Sequence, residues 1–306
     1  MQIVVTGGCG YVASNLLPAL SPFADRIDFI DVKKPTLELQ RRLNTKQYSY
    51  IQLDLTDETK VRKVISRYDF IIHLAALVGY PACQKHPDLA EKSNVKTTET
   101  IIRTMGKKAR LLFASTTSNY GDQINLVDEG TPAKPNSLYG TTKMHAENLV
   151  QELDEFTIYR FAGAFGCAPI MRHDNLIHDF ICRAINGEFL EIYESHFIRQ
   201  FIHIQDMANS IVFAIQHWDR VRGNLFNVGN PQIEITKKEI VQRIARVFPF
   251  PFRLEGVGAD LEKRNYRVSF EKILKAGFQP QKHLDEGIRE LIDYYSGEMR
   301  RGVVNG

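Results

Sequence analysis

The sequence predicts an α/β fold, a doubly wound parallel sheet with a smaller C-terminal domain whose segments interleave with it. Short apolar runs alternate with longer helical stretches through the first half of the chain. Most of these runs are continuous, as expected for parallel strands that are covered by helices on both faces. A glycine-rich turn follows the first run, and the rhythm changes after about residue 166.

Six strands and four helices are predicted in the first half, and such regular alternation is typical of a doubly wound sheet. Asp57 and either Asn136 or Ser137 are expected N-caps, because short polar side chains accept hydrogen bonds from orphan backbone N–H groups. The strands cover 2–6, 27–31, 49–53, 69–74, 109–115 and 155–161, and the helices lie near 11–20, 57–66, 88–106 and 137–153.

The second half is built from shorter units. Thr236 and Glu239 have the spacing of a capping box, which opens a helix. The other expected elements are a helix near 174–187, an extended piece at 198–204, a helix at 205–217, a strand at 224–228 and a last helix near 284–296.

Composition and charge favour a reduced, cytoplasmic protein. The 306 residues are 43% hydrophobic, which is enough for a large core. Basic and acidic residues nearly balance, 39 against 36, and no basic stripe is interleaved with aromatic residues, so no nucleic acid is expected. We expect no membrane span and no signal peptide, because long apolar runs are absent and a strand begins at once. Neither the four scattered cysteines nor His73, His173 and His203 have metal-ligand spacing, and no metal is expected.

The glycine-rich turn over 6–13 predicts a dinucleotide site. Gly7 and Gly10 would let the backbone turn tightly and approach a pyrophosphate, which the N-terminus of the helix that begins at Tyr11 and Val12 would bind. A glycine cluster alone is often a structural turn. The strand before it and the helix after it favour the Rossmann interpretation.

Asp31 ends the second strand about 20 residues further on, where a carboxylate can accept hydrogen bonds from the adenosine ribose. It favours NAD, because it would repel the 2′-phosphate of NADP. Lys33 and Lys34 could offset that repulsion, although a solvated pair is the simpler interpretation. Other expected cofactor contacts lie at the ends of the third and fourth strands, where a helix cap and small core residues are the alternatives: Asp54, Leu55, Leu74, Ala75 and Ala76.

Tyr139 and Lys143 lie four residues apart at the start of a predicted helix, hence on one face. Oxidation of an alcohol needs a base, and a free phenol titrates near 10. An ammonium about 4 Å away, at an effective dielectric near 20, would contribute about 4 kcal/mol, or roughly three pKa units. That shift brings the phenol toward neutral pH, where proton transfer is efficient. Such pairs are common on helix surfaces, but after a glycine loop and a fifth strand this one indicates a catalytic pair.

Thr116 follows the fifth strand in a hydroxyl-rich stretch. Doubly wound sheets bind their ligands at the carboxyl ends of strands. A hydroxyl there can hold the reacting alcohol against the Tyr139 oxygen. Ser115, Thr117 and Ser118 compete for this role, and such hydroxyls also form turns.

Together these motifs resemble the extended short-chain dehydrogenase/reductase superfamily, and within it the nucleotide-sugar epimerase/dehydratase group. The resemblance spans nearly the whole chain, with TGGxGY at 6–11, HLAA at 73–76, YGTTK at 139–143, YRF at 159–161, RQFIHIQD at 199–206, FNVG at 226–229 and GFQP at 277–280. It implies NAD as cofactor, Tyr139 as base and Lys143 on the nicotinamide ribose. It also implies Thr116 as the third catalytic residue and Arg199 on the nucleotide pyrophosphate, which a bidentate guanidinium suits.

Departures from the family pattern narrow the reaction. Dehydratases of this group carry Asp-Glu after the catalytic hydroxyl, whereas this chain has Thr117 and Ser118, which we expect to contact substrate. Gly163 replaces an asparagine that is usual in epimerases. Residues 77–83 and 168–176 are similar to a bacterial branch that includes GDP-heptose 4-dehydrogenases of capsule synthesis. That similarity makes Arg172 and Asn175 candidates for phosphate and sugar contacts, with a loop arginine and a helix cap as alternatives.

The predicted function is NAD-dependent oxidation of a nucleotide-sugar at a ring carbon, foremost C4, by an epimerase or a 4-dehydrogenase. An NADPH-dependent keto-sugar reductase and a redox-inactive dinucleotide-binding regulator are the alternatives. We expect a dinucleotide-binding domain over 1–166, to which 203–228 returns, and a substrate-binding domain over 167–202 and 229–306. A homodimer through the helices near 88–106 and 137–153 is the expected assembly.

Overall fold

The computed structural model describes residues 1–123, 125–254, 258 and 265–300. The strands are β1 (Gln2–Thr6), β2 (Arg26–Asp31), β3 (Tyr48–Gln52), β4 (Phe70–His73), β5 (Arg110–Thr116), β6 (Leu126–Val127), β7 (Phe156–Phe161), β8 (Gly163–Phe165), β9 (Leu190–Ile192), β10 (Ile198–His203), β11 (Asn224–Val228), β12 (Glu234–Thr236), β13 (Phe252–Leu254) and β14 (Arg267–Val268). The helices are α1 (Tyr11–Ala19), α2 (Leu37–Arg42), α3 (Glu58–Ile65), α4 (Tyr80–Lys85), α5 (Pro87–Glu91), α6 (Thr97–Thr104), α7 (Leu138–Val150), α8 (Leu176–Ile185), α9 (Ile204–Gln216), α10 (Trp218–Val221), α11 (Lys237–Val247), α12 (Glu271–Ala276) and α13 (Leu284–Arg300).

Seven parallel strands form the central sheet in the order β3-β2-β1-β4-β5-β7-β11. The order reverses between β1 and β4, and a doubly wound sheet binds its ligand outside the carboxyl ends of the strands at such a point. Apolar side chains of α1 and α9 cover one face of the sheet, and those of α3, α6 and α7 cover the other. The predicted doubly wound fold is therefore confirmed.

The helix expected over 88–106 is instead divided into α5, a π-helical turn over Lys92–Lys96, and α6. A π turn widens the helix by one residue and is common near functional sites. Here it places Asn94, which is 1% exposed, inside the protein. The apolar periodicity of the segment continues on both sides of the turn, which explains why the sequence predicted one helix.

Three smaller sheets occupy the rest of the structure: β12-β10-β8, β13-β9 and β14-β6. A second apolar core lies among α8, α11, α13 and strands β9 and β10. The capping box at Thr236 and Glu239 is present at the start of α11. Residues Tyr266 to Phe278 contribute to the larger core beside α9 and β11. The proposed division into two domains stays a prediction.

Among the helices of the described residues, none combines the length and the apolar character needed to cross a membrane.

Candidate active site

One cavity of about 1210 Å³ opens where the strand order reverses. It brings together residues from the glycine loop, the ends of β2 to β5, helix α7 and the segment before α8. Every residue that the sequence analysis named for a cofactor, a substrate or catalysis lines it: Gly7, Gly10, Tyr11, Val12, Asp31, Asp54, Leu55, Leu74, Ala75, Ala76, Thr116, Thr117, Ser118, Tyr139, Lys143, Arg172, Asn175 and Arg199. The geometry is therefore that of one elongated site; the role of each residue stays a prediction.

The glycine loop leaves no room for a side chain at Gly7. Gly7 has a φ of +69°, and a Cβ atom there would lie 2.8 Å from the backbone nitrogen of Ala75. Gly10 is the N-cap of α1, and within the described residues no side chain caps that helix. The first N–H groups of α1 therefore face the cavity as an anion site. Tyr11 lines the cavity, and its hydroxyl is held in place by donating a hydrogen bond to the Gly166 carbonyl at 2.7 Å.

Two carboxylates lie at the ends of β2 and β3. Asp31 accepts hydrogen bonds from the backbone N–H groups of Cys9, at 3.0 Å, and Lys33, at 2.9 Å, so it braces the glycine loop. Asp54 accepts from the backbone N–H and the hydroxyl of Thr56 and pairs with Lys92 at 3.1 Å. The backbone hydrogen bond from Thr56 is the main cause that lowers the pKa of Asp54. Asp54 thus forms a local turn and borders the cavity, whereas Asp57, and not Asp54, caps α3.

Helix α7 carries the predicted catalytic pair. Ser137 caps it by accepting a hydrogen bond from the Gly140 N–H at 3.2 Å, which settles the choice between Asn136 and Ser137. Lys143 is 3% exposed, and its Nζ lies 3.9 Å from the centroid of the Phe113 ring. Burial lowers the pKa of Lys143 to about 7, although Glu147 and Cys83 oppose the shift. The site therefore contains a buried lysine, and its protonation depends on the burial and on the neighbouring groups.

The hydroxyl-rich segment turns sharply after β5. Thr116 is the last residue of the strand, and its Oγ1 accepts a hydrogen bond from the Ser118 N–H at 3.1 Å. The Tyr266 hydroxyl donates to the Thr117 carbonyl and fixes the turn from the other side. Thr116, Thr117 and Ser118 are all at least nine-tenths buried. The hydroxyls of this segment thus form a turn and also line the cavity.

Three cationic or amide side chains line the cavity away from the glycine loop. Arg172 forms a bidentate pair with Asp174, at 2.8 and 3.0 Å, and Asp174 raises its pKa against the effect of burial. Arg199 donates to its neighbour's carbonyl at 2.9 Å. Asn175 is the N-cap of α8, but its Nδ2 is buried and has no hydrogen-bond partner among the described residues. A buried donor without a partner is costly, which suits a ligand contact.

The space around Gly163, where epimerases usually have an asparagine, is crowded. A Cβ atom at this position would lie 2.9 Å from the Phe201 ring. A larger side chain would therefore require the Phe201 ring to shift, and other polar side chains that line the cavity include Asn175 and Arg199.

A buried chain of polar side chains, which the sequence did not predict, joins the glycine loop to α7. His73 bonds Thr6 Oγ1 at 2.7 Å and Thr98 Oγ1 at 3.0 Å. The Thr98 hydroxyl donates its proton to the Asn94 backbone carbonyl, so His73 Nε2 must donate to Thr98. His73 Nδ1 therefore accepts from the Thr6 hydroxyl. Asn94 continues the chain by donating to Thr142 at 2.9 Å and to the Leu77 carbonyl. In the sequence, these polar contacts are marked by the HLAA motif at 73–76, and in the structure by the π turn over Lys92–Lys96.

His73 and His178 predict an acid-sensitive fold. Burial lowers the pKa of each to about 3, well below 6.5 in the unfolded chain. Between these values the unfolded state binds protons that the folded state does not, so stability falls as the pH falls, by up to about 1.4 kcal/mol per pH unit for each histidine. We expect His73→Gln to reduce the slope of the unfolding free energy between pH 6.5 and 5, measured by urea denaturation. The same change at the exposed His145 should not, and equal slopes in both variants would refute the assignment.

Comparison with known proteins supplies independent findings. The model of the NAD dependent epimerase/dehydratase family matches residues 3–229. The low-salt glycan biosynthesis protein Agl12 of Haloferax volcanii is 24% identical over 97% of this chain and 99% of its own length. UDP-glucuronic acid decarboxylase 1 of Danio rerio is 26% identical over 99% of this chain and 75% of its own. The structure of Thermus thermophilus UDP-glucose 4-epimerase in complex with NAD superposes with a TM-score of 0.83, at 19% identity, over 97% of this chain and 99% of that one.

Proposed function

The chain belongs to the NAD-dependent epimerase/dehydratase family, and on that premise we propose that it oxidises the sugar of a nucleotide-sugar at a ring carbon, foremost C4. The observation that carries the proposal is the single cavity that joins the glycine loop to Thr116, Tyr139 and Lys143. A dinucleotide at one end and a sugar at the other would meet at these three side chains. Oxidation of an alcohol uses all three in distinct ways.

The residues of the glycine end fit NAD. The crowded Gly7 backbone and the uncapped N-terminus of α1 suit a pyrophosphate. Asp31 suits the hydroxyls of the adenosine ribose, and the Lys143 ammonium, which lines the same cavity, suits those of the nicotinamide ribose. When bound, NAD supplies the acceptor for the hydrogen that leaves the sugar carbon.

The chain's own residues would manage the proton. Thr116 holds the sugar hydroxyl, and the Tyr139 oxygen accepts its proton. Before this transfer, the Lys143 ammonium stabilises the ionised phenol that acts as the base, because the two side chains lie one helical turn apart. The pair titrates as a unit: loss of the tyrosine proton favours the charged form of the lysine. Burial of Lys143 strengthens this coupling, since the effective dielectric is lower than in water.

The far end of the cavity would hold the nucleotide diphosphate. Arg199 and the unpartnered amide of Asn175, which precedes the N-terminus of α8, are suited to phosphate oxygens. Arg172 is already paired with Asp174 and borders the proposed sugar end of the cavity. Burial opposes its charge, but Asp174 and, to a smaller extent, Tyr139 raise the pKa of Arg172. We assign Arg172 to the sugar and not to the phosphates.

The fate of the keto sugar separates an epimerase from a 4-dehydrogenase. Thr117 and Ser118 stand where a dehydratase needs an acid and a base, and neither ionises near neutral pH. We therefore propose oxidation followed by re-reduction from the other face, which is epimerisation; release of the keto sugar with NADH would be net dehydrogenation.

We also propose a homodimer that includes α7 in its interface, and a monomer in light scattering at working concentration would refute that assembly.

Turnover assays test the proposed function directly. We would incubate the protein and NAD with UDP-glucose, UDP-glucuronic acid and GDP-linked hexoses, and follow both NADH absorbance and sugar products by NMR. An epimer without net NADH supports epimerisation, whereas stoichiometric NADH supports dehydrogenation. Thermal protection by a nucleotide-sugar only in the presence of NAD would identify the nucleotide. No turnover of any of these sugars and no NADH formation would instead favour the redox-inactive regulator.

Asp31 predicts the cofactor preference. Asp31→Asn removes the charge that binds ribose hydroxyls and braces Cys9, so NAD affinity should fall about 10- to 100-fold while the preference over NADP shrinks. Calorimetric titration of both dinucleotides measures this, with the exposed Asp219→Asn as control. A wild-type protein that binds NADP more tightly than NAD would favour the keto-sugar reductase instead.

A further inference from the structure

Glu147 continues the catalytic stripe of helix α7 into the interior. Tyr139, Lys143 and Glu147 are each separated by four residues and therefore share one face of the helix. Lys143 and Glu147 are 3% and 1% exposed. A buried carboxylate needs charged and hydrogen-bonding partners, because its desolvation is costly. The partners of Glu147 thus show what it holds in place.

The first partner is a second buried cation, Arg160 on β7. Its Nη2 lies 2.7 Å from Glu147 Oε2, and its Nε lies 3.0 Å from Oε1. The guanidinium also stacks on the Tyr120 ring, 4.8 Å from its centroid. Burial works against the charge of Arg160, but the hydrogen bonds to Glu147 outweigh it and raise its pKa. Glu147 therefore pairs directly with the buried Arg160, lies one helical turn beyond the buried Lys143, and favours the charged form of Lys143 electrostatically.

The remaining partners belong to the segment that carries the catalytic hydroxyl. Ser115 Oγ donates a hydrogen bond to Glu147 Oε1, and Asn119 Nδ2 donates to the same oxygen at 2.6 Å. These two residues flank Thr116, Thr117 and Ser118. One carboxylate therefore joins the hydroxyl segment to the helix of Tyr139 and Lys143.

The surroundings of Lys143 contain few other charges. His73 on β4 is held neutral by burial, and Lys143 lowers its pKa further. Cys83 on α4 contributes a weaker effect than Glu147, and the Phe113 ring on β5 is uncharged. Tyr139 is the remaining titratable group on α7 that faces Lys143. Among the residues described, Glu147 is thus the carboxylate that acts on the Lys143 ammonium.

We propose that Glu147 is a positioning residue that keeps Lys143 protonated and holds Thr116 opposite Tyr139, through one carboxylate shared by two buried cations and the hydroxyl segment. The proposal rests on the proposed function for the role of Tyr139 and Lys143. It assigns Glu147 no contact with substrate or cofactor. Removal of its charge should therefore alter the pH dependence of the reaction, which a purely structural residue would leave unchanged.

Two variants separate charge from position. Glu147→Gln removes the charge, so the alkaline limb of the kcat–pH profile should move down by roughly 1.5–2 pH units, as expected for a unit charge about 6–8 Å away at an effective dielectric near 20. Glu147→Asp keeps the charge but not the reach to Ser115 and Asn119, so the limb should stay while kcat falls about tenfold or more. The exposed Glu152→Gln should change neither. An unshifted limb in Glu147→Gln would overturn the proposal.

Glu147→Gln leaves Arg160 buried without its counter-charge and can impair folding. The double variant Glu147→Gln with Arg160→Gln removes both charges and keeps the proposal testable. The alkaline limb of its kcat–pH profile should lie between those of the wild type and Glu147→Gln. A limb at the wild-type position in a folded double variant would contradict a role for the Glu147 charge.

A readout without turnover distinguishes this inference from the proposed function. The unfolding free energy of the wild type should rise with pH as folded Lys143 loses its proton, and Glu147→Gln should begin that rise at lower pH. Lys143→Met supplies the baseline. If the wild type turns over no nucleotide-sugar but this shift is seen, the proposed function fails and the inference about Glu147 stands. If the rise begins at the same pH in both proteins, the inference fails.

Discussion

Replacement of Tyr139 by phenylalanine is expected to lower kcat by about 10²- to 10⁴-fold, the usual contribution of a general base. The change removes one oxygen atom at the sugar end of the cavity and leaves the glycine loop intact. NAD affinity should therefore stay within about twofold, which calorimetric titration would show. Steady-state kinetics on the best nucleotide-sugar measures the loss.

The matched control is Tyr48→Phe. Tyr48 lies on β3, and its hydroxyl donates to the Leu17 carbonyl at 3.2 Å, outside the residues that line the cavity. This variant should keep wild-type turnover. Wild-type turnover in Tyr139→Phe would show that another group takes the proton, and Thr116 and Ser118 would be the next residues to test.

Lys143→Met is expected to abolish most turnover and to stabilise the protein without ligands. The ammonium is 3% exposed, and burial lowers its pKa to about 7. In the unfolded chain a lysine titrates near 10.4. Between these values the unfolded state binds a proton that the folded state lacks, so the unfolding free energy of the wild type rises with pH, by up to about 1.4 kcal/mol per unit. Methionine removes this penalty, and we expect a gain on the order of 2–4 kcal/mol at pH 7.

Urea denaturation of the two proteins from pH 7 to 10 tests this prediction, since other titrating groups contribute to both and cancel in the difference. The stability difference should shrink steadily as the pH rises. A constant difference would mean that folded Lys143 keeps its proton throughout. Lower stability of Lys143→Met at every pH would show that the contact with the Phe113 ring outweighs the cost of burying the charge.

Much of the sheet and the site could be predicted from sequence because the responsible signals are local. A continuous apolar run followed directly by the glycine turn fixes β1 and α1, and the four-residue spacing of Tyr139 and Lys143 fixes their common face. The bounds of the six strands agree to within a residue or so, and most of these strands are buried, although the edge strand β3 is only half-buried. These patterns need no knowledge of distant partners.

The features that the sequence did not predict depend on partners that are distant in the chain. Glu147 looks like an ordinary helical glutamate until β7 brings Arg160 against it. Asn94 faces inward only because a π turn interrupts its helix. Pairing between remote segments decides the role of Glu147, and the π turn decides that of Asn94.

The most direct test of the account is a titration of tyrosinate absorbance in the NAD complex of the wild type, Lys143→Met and Tyr139→Phe. The central claim is that the Lys143 ammonium lowers the pKa of Tyr139 beside bound NAD, so that the Tyr139 oxygen is ionised near neutral pH and can accept a proton. The account predicts that one phenol of the wild type ionises well below its ordinary range near 10, and that both variants lack this early step. Superimposable titrations of the three proteins would contradict it.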